Sequence, residues 1–132
     1  MHDKVTAVSD VAEPAITQQW RELCRRHAAV SGALEQRLQE LHGIGASEFE
    51  ALERLASCDH KCRAAELTDA VHLSQSATSR LVARLEREGL VERAICEMDR
   101  RGIFVTLTEA GARMYQEARP TYRAVLNETL DA

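Results

Sequence analysis

The 132-residue sequence predicts a mainly α-helical single domain that carries one small β-hairpin. Three observations lead to that class. Apolar residues recur at three- and four-residue spacing through most of the chain, and only between residues 90 and 107 does the pattern become strand-like. Aromatic residues make up 4% of a composition that is 45% hydrophobic, which favours an aliphatic core. Two prolines and six glycines leave few places to break a helix. The expected order is four helices, the hairpin, a fifth helix and a short sixth.

Residues 1–12 are expected to be a flexible N-terminus ahead of a domain spanning 13–132. From Glu13 to His42, the residues Ile16, Trp20, Leu23, Cys24, Val30, Leu34, Leu38 and Leu41 form one apolar face, which Gly43 and Gly45 end. At about 1.5 Å per residue such a helix is ~40 Å long, more than a small domain needs to cover its own core. It is expected to pack on a partner. Ser47-Glu48-Phe49-Glu50 reads as a capping box for a second helix with Phe49, Leu52, Leu55 and Ala56 inward. After a polar segment at 57–63, Ala64 to Val71 forms a third helix with Ala65, Leu67 and Val71 inward. Ser74 caps a fourth, Gln75 to Glu88, whose inward side is Ala77, Leu81, Val82 and Leu85; Gly89 ends it. Two strand-like runs, 90–95 and 102–107, flank the polar turn 96–101. Thr108 caps the last helical region, which Pro120 is expected to kink or break.

The net charge of −4 does not advertise a nucleic-acid partner, but the negative charge is unevenly placed. Between residues 63 and 102 seven arginines balance seven acids, so the excess of acid lies elsewhere. No apolar run approaches the ~20 residues of a membrane helix. The first fifteen residues lack a signal-type apolar stretch, so a cytoplasmic location and reduced cysteines are expected. The chain shows no glycine-rich phosphate loop, nucleophile elbow or placed carboxylate pair, so no enzyme and no cofactor are expected.

Two short helices joined by a tight turn and followed by a hairpin make a winged helix-turn-helix. The second helix of such a unit enters the major groove, about 12 Å wide, while the first braces across the backbone. Here the second helix offers Gln75, Ser76, Thr78, Ser79 and Arg80 as its outward side chains. Asp99, Arg100 and Arg101 sit near the hairpin tip, where an arginine reaches a narrow minor groove and Asp99 holds a guanidinium in place. A winged-helix protein-interaction module without DNA binding is the alternative, because the region is neutral overall.

The stretch from Ala65 to Gly111 resembles the signature region of the MarR family of bacterial regulators. Its parts stand in family order: ELxxxxxLSxSxxSRLVxRLExxGLVxR, then DRR in the wing, then VxLTxxG opening the last long helix. The resemblance implies dimerisation helices at 13–46 and 108–132 around a DNA-binding part at 47–107. It implies a homodimer that reads a palindromic duplex site, usually as a repressor, with release by a small lipophilic or phenolic effector or by thiol oxidation. Carried to matching positions, it makes Ser76, Thr78, Ser79, Arg80 and Arg84 groove or phosphate contacts, and Asp99, Arg100 and Arg101 the wing element.

No ligand pocket is fixed by the sequence. Trp20, His27 and His42 are candidates to line one, with core packing the preferred reading of each. Cys58-Asp59-His60-Lys61-Cys62 is the most unusual segment. Lys61, Arg63 and a following helix N-terminus are expected to lower a thiol pKa, which makes Cys58 and Cys62 candidates for redox sensing. Zinc held by Cys58, His60, Cys62 and His72 is the other special reading, and a surface loop without a role the plain one.

Overall fold

A computed structural model of the chain describes residues 2–95 and 102–130, with side chains described for 14–94 and 102–130. The elements are α1 (His2–His42), α2 (Ala46–Ser57), β1 (Lys61–Arg63), α3 (Ala64–Val71), α4 (Gln75–Arg87), β2 (Val91–Ile95), β3 (Ile103–Leu107) and α5 (Glu109–Leu130). The mainly helical winged helix-turn-helix is therefore present, with a third strand that the sequence reading treated as loop. The strands form one antiparallel sheet in the order β1-β3-β2.

Residues 2–12, read from sequence as flexible, continue the backbone of α1. Among the described side chains of α1, only those of its C-terminal part are buried within the chain. Leu34 and Leu38 are buried, whereas residues 14–29 are exposed throughout. Ile16, Trp20 and Leu23 fall on one side at spacings of four and three, each at least 60% exposed. Cys24, expected inward, is exposed as well. α1 is joined to α5 by packing and by polar links: Arg37 pairs with Glu128 at 3.0 Å, and Arg26 donates to the Leu130 carbonyl at 2.6 Å.

The core lies where the end of α1, α2, α3, α4, the sheet and α5 meet. Leu38, Ile44, Leu52, Leu55, Leu67, Leu85, Val91 and Val105 are closed to solvent there. Ala65 of α3, expected inward, is exposed instead. The core is not purely aliphatic: Phe49 stacks on Tyr122 at 4.4 Å between ring centres and on Tyr115 at 5.5 Å. That trio fastens α2 to α5 by aromatic contact.

Three boundary readings are corrected. The N-cap of α2 is Gly45, whose amide donates to Glu48 Oε1 at 3.2 Å, so the capping arrangement starts two residues before Ser47. Pro120 does not end the last helix: α5 runs through it and no α6 forms among the described residues. Pro120 is exposed, and Ala118 and Val125 on either side are fully buried, so packing outweighs one missing amide bond. The segment 57–63 is not a loop throughout, because Lys61, Cys62 and Arg63 pair with Thr106, Val105 and Phe104.

Thr108 does cap α5. Its Oγ1 accepts from the Gly111 amide at 3.0 Å and donates to the Gly89 carbonyl at 2.7 Å, while its own amide donates to the Leu90 carbonyl at 3.1 Å. One residue thus fixes the start of α5 against the turn between α4 and β2. Gly111 permits the approach, since a Cβ there would lie 2.1 Å from the Leu90 carbonyl oxygen.

Candidate nucleic-acid interface

The presented helix is α4, and its start is well defined. Ser74 is the N-cap, its Oγ accepting from the Ala77 amide at 3.1 Å. The tight turn before it is closed by His72, which takes the left-handed backbone (φ 56°) that ends α3. Leu67 and Val71 of α3 and Leu81, Val82 and Leu85 of α4 are buried, so the two helices share the core with the sheet.

The outward residues divide cleanly. Gln75, Ser76, Ser79 and Arg80 are exposed, as the sequence reading expected. Thr78 is not: it is 2% exposed and its Oγ1 donates to the Ser74 carbonyl at 2.9 Å. The reason is angular. Thr78, Leu81, Val82 and Leu85 stand at i, i+3, i+4 and i+7, one inward face of a helix turning about 100° per residue. Thr78 is therefore a packing residue whose hydroxyl is satisfied by the preceding turn, and it is withdrawn from the contact surface.

Two hollows flank the helix. On the wing side, Gln75 and Ser79 border a groove of about 370 Å³ together with Arg63, Thr68, Arg93 and Ile103. On the other side, Arg80 and Arg84 border a hollow with Glu35 and Glu48. Arg84 donates to Glu48 Oε1 at 3.4 Å; its side chain is half exposed, while that of Glu48 is only 5% exposed. Arg84 therefore supports a nearly buried carboxylate as well as presenting charge outward. Arg87, exposed in the last turn, extends the row set by Ser76 and Arg80.

Sequence reading did not single out Arg87 or Arg93, and it named Arg63 only as a neighbour of the thiols. Arg93 stands on β2 beside α4, where it donates to Glu86 at 3.2 Å. Arg63 stands on β1, with its guanidinium 5.5 Å from the Phe104 ring centre. No local motif marks them; their place beside α4 follows from the β1-β3-β2 order. The wing residues Asp99, Arg100 and Arg101 lie outside the described residues.

Among the other expected residues, Trp20 and His27 are exposed rather than packed in the core, and His42 is half-buried with its Nε2 2.7 Å from Thr121 Oγ1. Cys58 and Cys62 do come together. Consecutive left-handed residues Asp59 (φ 54°) and His60 (φ 69°) fold the chain back between them. The proposed histidine partners do not join. His60 borders a surface hollow with Tyr115 and Gln116, and His72 another with Glu50 and Tyr122. Instead Glu66 meets the two thiols, the ligand atoms of all three lying within 4.8 Å of one another. Nor is the Cys62 thiol acidified. Burial, then the contact with Cys58, pushes its pKa up to about 12. Strand alternation is the cause: Cys62 points into the core, while Lys61 and Arg63 face the other way over the Phe104 ring.

The arrangement is shared with known proteins. The MarR family model matches residues 42–102, which run from the end of α1 through β2 and stop just short of β3. AbsC, a MarR family transcriptional regulator from Streptomyces coelicolor, superimposes with a TM-score of 0.78 at 30% identity, over 86% of this chain and 76% of AbsC. The chain belongs to the MarR family. Sco3205, a MarR family transcriptional regulator of the same organism solved in complex with DNA, gives a TM-score of 0.80 at 27% identity, over 86% of this chain and 71% of its own. The transcriptional repressor MprA of Escherichia coli (strain K12) is 32% identical over 97 residues, or 73% of this MarR-family chain and 55% of MprA. This chain thus spans about half the length of the curated relatives it matches.

Proposed function

We propose that this MarR-family chain is a homodimeric, sequence-specific DNA-binding transcriptional repressor, non-enzymatic and acting in the cytoplasm. The carrying observation is the exposed face of α4. Gln75, Ser76, Ser79 and Arg80 combine short hydrogen-bonding side chains with a forked donor, and Arg63 and Arg93 border the adjoining groove. Sco3205 and a mutant MarR of Escherichia coli, at 27% and 25% identity, were both solved with DNA, which supports this use of the face. No helix among the described residues is long and apolar enough to cross a membrane.

The homodimer is supported by the apolar row Ile16, Trp20 and Leu23, together with Leu41 and Leu130, all exposed in the isolated chain. A two-fold pairing of α1 and α5 covers that row and sets two copies of α4 toward successive major grooves. On this reading Asp99, Arg100 and Arg101 reach the minor groove, and a small lipophilic or phenolic effector or thiol oxidation releases the operator.

Selection from a random duplex pool with the reduced protein tests the reading. An enriched inverted repeat with half-sites ~10 base pairs apart is expected. Retention without enrichment, falling only as salt rises, would leave the nonspecific phosphate attraction alone and favour a protein-interaction module.

A further inference from the structure

The meeting of Cys58, Cys62 and Glu66 is unused by the DNA-binding reading. We propose that these three side chains bind a thiophilic divalent cation of the Zn2+ class. The geometry is close to what such a cation needs. Zn–S bonds of about 2.3 Å place tetrahedral sulfur ligands ~3.8 Å apart, and a carboxylate oxygen slightly nearer. The two Sγ atoms and the Glu66 carboxylate oxygen already lie within 4.8 Å of one another, so about 1 Å of closure suffices. Three different elements supply them: Cys58 follows α2 as its C-cap, Cys62 is the centre of β1, and Glu66 is in the first turn of α3.

The donor set selects the metal. Two thiolates favour a soft or borderline cation over Mg2+ or Ca2+, which prefer oxygen alone. Access is graded in a useful way. Cys62 is buried, Cys58 half-buried and Glu66 exposed, so a cation enters from the Glu66 side and stops at Cys62. Three protein ligands leave a fourth position for solvent, which marks an exchangeable site rather than a closed structural one. The turn at Asp59 and His60 that brings the thiols together uses two left-handed non-glycine residues in succession. A bound cation would tie the end of α2 and the start of α3 to β1, whose Cys62 pairs with Val105 of β3.

Cobalt titration of the reduced, metal-stripped full chain tests the site without DNA, so its outcome is independent of the regulator reading. A thiolate-to-Co2+ charge-transfer band saturating at one Co2+ per chain, and displaced by Zn2+, is expected. The Cys24→Ser/Cys96→Ser double variant keeps it. Cys58→Ser, at a half-buried position that tolerates the change, loses it, and Glu66→Gln weakens Co2+ binding at least about tenfold. Circular dichroism on both variants confirms the fold. No saturable band, or a band unchanged in Cys58→Ser, overturns the site; unchanged affinity in Glu66→Gln overturns the carboxylate ligand.

Discussion

Replacing Gly111 with alanine sets two physical effects against each other with opposite signs. Gly111 sits in the first turn of α5, where helix propensity alone favours alanine by about 1 kcal/mol. The packing opposes it. An added Cβ would stand 2.1 Å from the Leu90 carbonyl oxygen and 2.6 Å from Leu107 Cδ1. The leucine methyl can rotate aside; the carbonyl cannot, because it is backbone and accepts from the Thr108 amide. Restoring an ordinary contact moves α5 more than ~1 Å from the α4–β2 turn, a strain of about 1–3 kcal/mol for an overpacked site. It also stretches the Thr108 links to Gly89 and Leu90, worth about 1 kcal/mol each. The balance is a loss of about 2–4 kcal/mol. In urea denaturation, Gly111→Ala is expected to lower the midpoint with little change in slope, and in thermal melts to lower Tm by ~10 °C. A stability equal to or above the parent's would show that propensity dominates and that the close approach is not a constraint.

The remaining predictions concern the interface and titration. Ser79→Ala is expected to weaken duplex binding with stability unchanged. Thr78→Val is expected to do the reverse, costing about 1 kcal/mol in denaturation by losing the bond to the Ser74 carbonyl. Equal effects on binding would return Thr78 to the contact surface. Arg80→Glu should abolish operator retention in a gel-shift assay and leave the sedimentation coefficient unchanged. It is a cleaner test than a change at Arg84, which would also strip a partner from the nearly buried Glu48. Trp20→Glu should convert the dimer to monomer in sedimentation velocity; an unchanged mass would place the two-fold interface elsewhere. Tyr122 is held above the ordinary phenol range by burial and by donating to Glu50 Oε2 at 2.7 Å. The stabilisation this implies is full below the unfolded pKa of about 10 and is lost as pH rises toward the folded value. Urea midpoints should therefore fall above pH ~10 in the parent and less steeply in Tyr122→Phe; identical pH slopes would refute the coupling.

Features that depend on neighbours along the chain were legible from the residues alone. The third and fourth helices, their tight turn, the Ser74 and Thr108 caps and the two hairpin strands follow from 3.6- and two-residue periods and from capping chemistry. The exposed Gln75, Ser76, Ser79 and Arg80 follow from the same periodicity. Thr78 was legible too, since it shares the spacing of Leu81, Val82 and Leu85; its polar character concealed an inward position that a satisfied hydroxyl makes cheap. Tertiary structure alone decided the rest. Three residues of β1 cannot show a period, and they became a strand because β3 offered an unpaired edge. α5 continues through Pro120 because buried contacts on both sides outweigh a local defect. Arg63 and Arg93 gained their place beside α4 from strand order, and the thiols met Glu66 rather than a histidine because the chain turned back at Asp59 and His60. In each case the deciding contact joins residues from separate elements, and its strength depends on distances that no local pattern of residues encodes.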